Sequence, residues 1–349
     1  MMRVLTKKIV KTVIKPIPIS AYQLLTRKKV IGLVYHTVSD RPLYHIKHLC
    51  PYKSPEMFES DLIYLRKSFN LISSQQLIEQ QSLKTKILPN SIILTFDDGY
   101  SECFSVARPL LLKYEIPCIF FITTDFIDNK NMFYRNKISL CIEKINTCEN
   151  LERLDFFRNI NSTFGLSINT KMSFFQWIKS LNYSDKDIID KICNLLGINI
   201  KQYMINHRPY LSSEEIRFLA GDGFTIGAHS KKHQELSLLI NEDEKEEEIV
   251  NSCKEIMELT GKDQVLFAFP FSGDGIDPNF LKGLISKYVF INLFFDSGDL
   301  KRDKDFIINR IPVDDPSFKE ANRSNIPQHM RDAYQGHLMW KMRNILTSF

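Results

Sequence analysis

The sequence predicts an α/β protein whose parallel strands close into a barrel. Short apolar runs alternate along the chain with segments whose apolar residues recur at helical spacing, and this alternation is typical of a parallel sheet. Two of the apolar runs end in acidic or histidine side chains, as expected at the carboxyl ends of barrel strands, where catalytic groups gather. The 349 residues could form one large α/β domain or two smaller ones.

Composition and charge are those of an ordinary globular protein. Hydrophobic residues make up 44% and charged residues 25% of the chain, and the net charge is +5. The positive charge is concentrated before Asp40, the first acidic residue, so the remainder is slightly acidic and general nucleic-acid binding is not indicated. The seven scattered cysteines include no Cys-x-x-Cys pair and suggest reduced thiols. With neither a secretion signal nor an apolar span of about 20 residues, we expect a cytoplasmic protein.

Residues 1–29 form a basic segment in which apolar residues recur at helical spacing until Pro16 and Pro18 interrupt the pattern. Two interpretations stay open. A basic amphipathic helix could lie on an anionic membrane surface, here the inner face of the membrane, or it could pack on the body of the domain. We treat this segment as separate from a main domain at 30–316.

The predicted strands occupy 30–35, 69–72, the run before Asp97, 117–122, the run before His229, 265–269, 288–293 and 306–311. Helices are expected between them, and residues 130–208 show helical spacing without strand signals. This segment is predicted to be a helical insertion, which could shape a substrate cleft or contact a partner. The acidic run 242–248 reads as a solvated helix face near a helix start, not as a metal site. Residues 317–349 are expected to form a helical tail.

The segment Ser91-Ile-Ile-Leu-Thr-Phe-Asp-Asp-Gly-Tyr100 carries the first candidate site. A buried strand ends in two adjacent carboxylates, Asp97 and Asp98, followed by Gly99. Such a sequence is also an ordinary turn, because aspartate bonds its own backbone and glycine accepts positive φ. Taken alone, this segment does not distinguish a turn from a site.

A second segment ends in His229 and, four residues later, His233. This spacing would bring both imidazoles onto one side of a helical turn, within reach of one ion. A pair of surface histidines is the alternative. One carboxylate and two imidazoles are, however, a known ligand set for a catalytic divalent metal, which would leave the second carboxylate free to act as a base.

Together and in this order, the two segments resemble the polysaccharide deacetylase family, also called the NodB-homology or carbohydrate esterase family 4 domain. The family's first motif is Thr-Phe-Asp-Asp-Gly, which residues 95–99 match letter for letter, and its second is His-Ser/Thr-x-x-His, which residues 229–233 match. Weaker similarity lies in residues 33–38, 58–65 and 267–271. The resemblance implies a distorted (β/α) barrel of about seven repeats.

The resemblance also implies roles for individual residues. It assigns the metal to Asp98, His229 and His233, the base to Asp97, an oxyanion contact to the backbone N–H of Phe271, and substrate contacts to Pro270, Phe271 and Tyr100. Packing of a strand end in the core is the alternative for Pro270 and Phe271. The ligand types favour Zn²⁺, while Co²⁺ and Ni²⁺ also suit this set.

Two departures from the family pattern concern the catalytic machinery. The arginine that usually orients the base is replaced by Ala268, and the usual late Leu-His-Asp motif is absent. A permuted branch of the family, which includes the deacetylases of poly-N-acetylglucosamine biosynthesis, takes its acid from an early Tyr-His. By this resemblance the acid is His36, with a satisfied core histidine as the alternative. Arg310 is a candidate for the missing arginine, although a surface ion pair would explain it equally well.

The sequence therefore predicts a metal-dependent hydrolase that removes an N-acetyl group from a sugar in cell-surface polysaccharide or glycan-precursor metabolism. An N-acetylated sugar or glycan would be its substrate. Two alternatives remain at this point. One is an inactive carbohydrate-binding protein of the same fold, and the other is a related hydrolase of carbon–nitrogen bonds, such as a sugar deformylase.

Overall fold

The computed structural model describes residues 19, 21–22, 30–82, 90–297, 300, 304–316 and 324–347. The predicted basic helix within 1–29 therefore falls almost wholly outside the described residues. Within the described chain, none of the helices combines the length and the apolar character that a membrane-spanning segment needs.

Eight strands form one parallel sheet, and seven of them close into a barrel. They are β1 (Val30–Tyr35), β2 (Asn70–Leu71), β3 (Ser91–Phe96), β4 (Cys118–Ile122), β5 (Thr225–Ala228), β6 (Val265–Ala268), β7 (Ile291–Asp296) and β8 (Ile307–Pro312). The ring runs β1-β8-β7-β6-β5-β4-β3 and closes by pairing of β3 with β1, while β2 adds to the free side of β3. The predicted barrel of about seven repeats is confirmed.

Alternation along each strand separates the inside of the barrel from the outside. On β3, Ile92, Leu94 and Phe96 belong to the large core shared with the surrounding helices. Ile93 instead packs with residues of β4, β6, β7 and β8, namely Ile119, Phe121, Leu266, Ala268, Leu293, Phe295 and Ile308, which fill the barrel interior. By the same alternation Asp97, two residues beyond Thr95 and four beyond Ile93, follows the inward-facing series.

Helices surround the barrel. They are α1 (Pro55–Ser68), α2 (Ser74–Ser82), α3 (Arg108–Lys113), α4 (Tyr134–Thr147), α5 (Asn150–Phe164), α6 (Lys171–Ser180), α7 (Lys186–Leu195), α8 (Ile200–His207), α9 (Ser213–Gly221), α10 (Glu242–Thr260), α11 (Pro278–Lys287) and α12 (Ile326–Thr347). Their ends follow the local sequence. Ser212 caps α9 in a reciprocal arrangement with Glu215, and Gly261 ends α10 in the left-handed conformation.

The helices α4 to α8 all lie between β4 and β5, in the segment expected to be an insertion. They pack around a second apolar core that includes Phe157, Phe174 and Ile192. This core extends to Tyr100 and Tyr210, which stack at 5.6 Å between ring centroids. The insertion is thus packed against the loop that follows β3 and lies beside the carboxyl ends of the strands.

The C-terminal helix α12 packs against the barrel through Ile326, Met330 and Tyr334, which belong to the main core. A buried ion pair holds the segment ahead of it. Lys53 Nζ lies 2.5 Å from Asp61 Oδ2 and donates to Asn325 Oδ1 at 2.6 Å. Because both charged side chains are almost fully buried, this pair and its bond to Asn325 connect the start of α12 to α1 through desolvated, specific contacts.

The seventh strand lies further along the chain than the sequence predicts. We expected it at 288–293, whereas β7 spans Ile291–Asp296. Tyr288 ends helix α11, and Ile291 N–H bonds its carbonyl oxygen at 2.9 Å in a turn. Apolar residues fill both the turn and the strand, so hydrophobicity alone could not place the boundary.

Candidate metal and catalytic site

The candidate site residues lie at the carboxyl ends of the barrel strands. Asp97 and Asp98 follow β3, His36 follows β1, and His229 follows β5. Pro270 and Phe271 follow β6 after one further residue, and Arg310 lies within β8. Because all strands are parallel, their carboxyl ends meet at one edge, which brings together residues that are up to 274 positions apart in the numbering from 36 to 310.

Asp98, His229 and His233 converge so that one ligand atom from each lies within 4.8 Å of the others. Nε2 of His233 is 2.9 Å and Nε2 of His229 is 3.4 Å from the same oxygen, Asp98 Oδ1. All three side chains are buried. Two imidazole nitrogens and one carboxylate oxygen around a common point are a donor set suited to a divalent transition metal, with positions left for water or substrate.

Hydrogen bonding around His229 fits metal binding. Its Nδ1 lies 2.9 Å from the carbonyl oxygen of Ala268, which can only accept a hydrogen bond, so Nδ1 carries the proton. In the neutral ring, Nε2 then presents a lone pair towards Asp98. Within the described part of the chain, the buried Asp98 Oδ1 receives no well-aligned hydrogen bond. Hydrogen-bond acceptors that face one another in a buried site repel each other, and a cation between them would remove this repulsion.

Burial also affects the charge of these groups. Desolvation lowers the pKa of His233 despite the nearby Asp98 carboxylate, which favours the neutral ring that a metal requires. Burial would raise the pKa of Asp98, but the two histidines outweigh it and the pKa lies well below its ordinary value. Asp98 is therefore ionised and available as a ligand.

The prediction that His229 and His233 lie on one helical turn is wrong. The chain between β5 and α10 forms a loop here, and Ser230 and His233 have φ of 59° and 56°, in the left-handed region that a right-handed helix excludes. His233 N–H donates to Ser230 Oγ at 3.0 Å. The two rings still meet, because this compact loop returns His233 towards the strand end.

Asp97 lies beside the ligand cluster and is held by Arg310. The guanidinium donates from its two terminal nitrogens to Asp97 Oδ1 at 2.5 Å and Oδ2 at 2.8 Å, and one nitrogen also bonds Thr95 Oγ1 at 3.1 Å. Arg310 is fully buried, which excludes the surface ion pair considered as its alternative. Burial would raise the pKa of Asp97, but the Arg310 charge outweighs it and keeps the pKa below its ordinary value.

His36 is paired with a carboxylate that the sequence analysis did not identify. Its Nδ1 lies 2.8 Å from Asp314 Oδ2, and its backbone N–H donates to Asp314 Oδ1 at 2.9 Å. Burial opposes protonation, yet the Asp314 charge prevails and raises the pKa of His36 to about 10. The ring keeps 30% of its exposure and is therefore not a core histidine. Asp314 lies just beyond a predicted strand, and this position is the signal that could have identified it as a candidate site residue.

An aromatic wall borders the cluster. The ring of His233 lies 4.3 Å from that of Phe133 and 5.0 Å from that of Phe271, measured between centroids. Phe271 is half-buried and has a left-handed φ of 57°, whereas Pro270 is buried. Ser297 Oγ donates to the Phe271 carbonyl oxygen at 2.7 Å. Phe133 comes from the insertion, so the inserted helices contribute directly to the site.

Tyr100, which is predicted to contact substrate, is almost fully buried beside the insertion. Only 2% of the residue is exposed. Its hydroxyl accepts a hydrogen bond from Asn136 Nδ2 at 3.1 Å, and its ring stacks on Tyr210. Tyr100 therefore joins the loop after β3 to the insertion. Its ring belongs to the second core, which also includes Phe133 and is contacted by Phe271 of the aromatic wall, so a contact of Tyr100 with substrate stays a prediction.

Comparisons with known proteins agree with this geometry. The model of the family described as polysaccharide deacetylase matches residues 84–148 and 179–284, a range that includes Asp97, Asp98, His229 and His233. His36 and Arg310 fall outside the match. No curated protein matches the sequence significantly.

Three solved structures resemble the chain in fold. Deacetylase PplD from Streptococcus pyogenes, solved with acetate, has a TM-score of 0.54 at 12% identity, covering 87% of this chain and 97% of that one. IcaB from Ammonifex degensii has a TM-score of 0.53 at 17% identity, with coverages of 88% and 97%. The polysaccharide deacetylase BC0361 from Bacillus cereus has a TM-score of 0.50 at 14% identity, with coverages of 87% and 68%. At these identities the likeness establishes the fold.

Proposed function

The chain belongs to the polysaccharide deacetylase family, and we propose that it is a metal-dependent hydrolase that removes N-acetyl groups from a sugar of a cell-surface polysaccharide or its precursor. One observation carries the proposal. Asp98, His229 and His233 converge as a candidate ligand set. A second carboxylate, Asp97, lies 3.8 Å from His229 Nε2 and is hydrogen-bonded by Arg310. Ligands with an adjacent spare carboxylate suit hydrolysis better than simple binding.

Hydrolysis of an acetamide needs a nucleophilic water, a stabilised oxyanion and a protonated leaving amine. A divalent ion held by Asp98, His229 and His233 would lower the pKa of a water molecule and polarise the acetyl carbonyl group. Zinc is the expected ion from the ligand types, and cobalt and nickel also suit them.

Asp97 is the proposed base. Its carboxylate remains ionised because Arg310 holds its pKa below the ordinary value, so it is ready to accept a proton from water at neutral pH. The bidentate bonds fix the plane of the carboxylate, and burial of both partners prevents competing water from disturbing them. In this proposal Arg310 orients the base, which alanine at position 268 cannot do.

His36 is the proposed acid or transition-state stabiliser. With its pKa raised to about 10, the ring carries a proton throughout the neutral range. Asp314 accepts from Nδ1, which leaves Nε2–H free to act towards the substrate. A protonated imidazole would stabilise negative charge on the reacting group and could pass its proton to the departing sugar nitrogen.

Phe271 and Pro270 are proposed to border the bound sugar, and the Phe271 N–H to contact the oxyanion. The left-handed φ of Phe271 reverses the chain directly after β6, and Ser297 holds its carbonyl oxygen. Such strain is tolerated where neighbouring contacts fix it, and it occurs often at functional sites. The substrate itself would be an N-acetylated sugar or glycan.

Where the enzyme acts is part of the same proposal. The cysteine pattern favours a cytoplasmic location, and the basic segment 1–29 could bring the enzyme to the anionic inner face of a membrane. A precursor sugar would then be a more accessible substrate than a finished polymer.

An inactive sugar-binding protein is the second candidate, favoured by the absence of the usual arginine at Ala268. The buried contact of Arg310 with Asp97 argues against it, because a binding protein has no need for an oriented carboxylate beside a ligand set. Removal of a formyl group would use the same chemistry, and only a comparison of substrates distinguishes it from removal of an acetyl group.

The test is acetate release from N-acetylglucosamine oligomers and from nucleotide-linked N-acetylglucosamine, measured with added zinc, cobalt or nickel. We expect metal-dependent release by the wild type and loss of turnover in Asp97→Asn with metal still bound. An N-formylated analogue tests the deformylase alternative in the same assay. Absence of release from every N-acylated sugar by metal-loaded protein would reject the proposal.

A further inference from the structure

The loop that joins His229 to His233 has an unfavourable backbone conformation. Two of its residues, Ser230 and His233, adopt left-handed φ angles, which are energetically unfavourable for residues other than glycine. The imidazole of His233 reaches Asp98 only because the loop takes this path. One hydrogen bond within the loop, from His233 N–H to Ser230 Oγ, supports this conformation, and contacts from neighbouring elements add to it.

The carbonyl oxygens of the loop are bound by the loop after β4. Thr124 N–H donates to the Ser230 oxygen at 3.3 Å, and Asp125 N–H donates to the Lys231 oxygen at 3.0 Å. Thr123 Oγ1 likewise donates to the oxygen of His229 at 3.2 Å. These bonds fix one side of the loop, while the N–H groups of Lys231 and Lys232 point towards helix α10.

One buried carboxylate receives those N–H groups. Glu248 Oε2 accepts from the backbone N–H of Lys231 at 3.1 Å and from that of Lys232 at 2.9 Å. Its other oxygen lies 3.3 Å from Lys232 Nζ and 3.4 Å from Gln234 Nε2. Glu248 thus contacts consecutive residues between the two histidines, and it does so from a rigid helix.

Glu248 differs from the rest of the acidic run in which it stands. The run was expected to be a solvated helix face, and Glu247 is indeed exposed, but Glu248 is only 4% exposed. It shares the inward face of α10 with Ser252 and Ile256, at helical spacing. A buried carboxylate is costly unless it is paired, so its position requires the contacts it makes.

We propose that Glu248 is a positioning residue for the metal site. By accepting both N–H groups within the His229-to-His233 loop, it stabilises the left-handed backbone that directs His233 towards Asp98. This inference rests on the proposed metal site. It adds a residue that contacts neither metal nor substrate and acts through the main chain of the ligand loop, as supporting hydrogen bonds do in other metal sites.

Removing the carboxylate should weaken metal binding more than it weakens the fold. Glu248→Ala leaves two backbone donors without their acceptor and frees the loop to adopt ordinary φ angles. Loss of such supporting bonds typically costs about 10-fold to 100-fold in metal affinity. Glu248→Gln keeps one oxygen for the two N–H groups but places an amide NH₂ near the donors of Lys232 and Gln234, so an intermediate loss is expected.

The experiment is a titration of metal-free protein with cobalt, followed by absorbance, for the wild type, Glu248→Ala and Glu248→Gln. Glu247→Ala is the matched control, since it removes a neighbouring carboxylate that is exposed. Ile256→Val controls for general destabilisation, because it weakens the packing of the same helix without touching the loop. Hydrogen exchange of the amides at 231 and 232 provides a second readout in the absence of metal.

We expect the cobalt dissociation constant of Glu248→Ala to rise about 10-fold to 100-fold, with both controls within about threefold of the wild type. Exchange at 231 and 232 should accelerate in the same variant. Wild-type affinity together with wild-type exchange in Glu248→Ala would overturn the proposal. If that variant does not fold, Glu248→Gln decides, and wild-type affinity there overturns it. If the wild type binds no cobalt, the proposed metal site fails, whereas exchange still tests the loop contact.

Discussion

Arg310 and Asp97 form a bidentate, fully buried ion pair between strands that are not neighbours in sequence. Both carboxylate oxygens accept from the guanidinium, and Thr95 and its acceptor, the carbonyl oxygen of Leu33, continue the network across the barrel. In the proposed site, Arg310 of β8 would take the place of the arginine that Ala268 replaces on β6. The pair lies beside the three candidate metal ligands. Through Arg310 and Thr95, the proposed base Asp97 is connected to the barrel strands.

Replacing Arg310 with lysine should separate orientation of the base from its charge. Lysine keeps one positive charge but cannot form the paired, planar contact, so Asp97 would rotate away from its working position. We expect kcat to fall about 10²-fold while metal binding is retained. Steady-state kinetics with metal analysis check this, and an unchanged kcat would show that the arginine does not orient the base.

Gly32 leaves the space that Arg310 occupies. A Cβ at position 32 would overlap Arg310 Cγ and lie 3.2 Å from Cβ and Cδ of the same side chain. We expect Gly32→Ala to lower the free energy of unfolding by about 1–3 kcal/mol and to reduce kcat by displacing the guanidinium.

The control for this variant is Gly283→Ala in helix α11, where an added Cβ meets nothing within 4 Å. It should stabilise the protein by about 0.5–1 kcal/mol, because alanine favours a helix more than glycine does. Denaturant unfolding measures both variants. Equal stability of the two would mean that position 32 tolerates a side chain and that Arg310 is not tightly fitted there.

Asp314 sets the protonation of His36. The pKa of His36 rises from 6.5 to about 10 in the folded protein, so the pair stabilises the fold fully below about pH 6.5, and this contribution is lost as the pH rises through about 10. Asp314→Asn should lower the pKa of His36 by about 2 and shift any alkaline limb of kcat/KM to lower pH. Titration of the His36 ring by NMR measures this, with the exposed Asp40→Asn as control. A wild-type titration curve in Asp314→Asn would contradict the pairing.

Tyr100→Phe tests whether the hydroxyl group of that residue contacts substrate. The hydroxyl bonds Asn136 inside the second core, so its removal should cost about 1 kcal/mol of stability. If the hydroxyl group serves only this internal hydrogen bond, kcat/KM should stay within about twofold to threefold of the wild type. A loss beyond tenfold without a matching loss of stability would instead support Tyr100 as a substrate contact.

The barrel and the convergence of the candidate ligands were predictable because their signals are local. Strand periodicity placed Asp97 and Asp98 at a strand end, and motif spacing grouped His229 with His233 as candidate ligands of one site. Spacing could not reveal the loop backbone, since the same four-residue interval suits a helical turn and the left-handed path that Ser230 and His233 adopt. The loop is hydrogen-bonded there by residues 123–125, which follow β4 and lie about 106 positions earlier, and by Glu248 of α10.

Other features depend on long-range contacts that cannot be inferred from a single sequence. Arg310 meets Asp97 across 213 positions, and Asp314 meets His36 across 278. Neither distance leaves a trace in composition or periodicity. Glu248 was not distinguishable for another reason. Five other acidic residues precede it in the run, and only its inward position on α10, four residues before the buried Ser252, sets it apart.

The most direct test of the central claim is the metal content of the purified chain, measured by mass spectrometry for the wild type and for His233→Ala. His207→Ala is the matched control, because that histidine is exposed at the end of α8. We predict about one divalent ion per wild-type and control chain, and less than about a tenth of an ion in His233→Ala. The contrary result would be wild-type protein, purified without chelator, that carries no specific ion and takes up none on titration with zinc, cobalt or nickel.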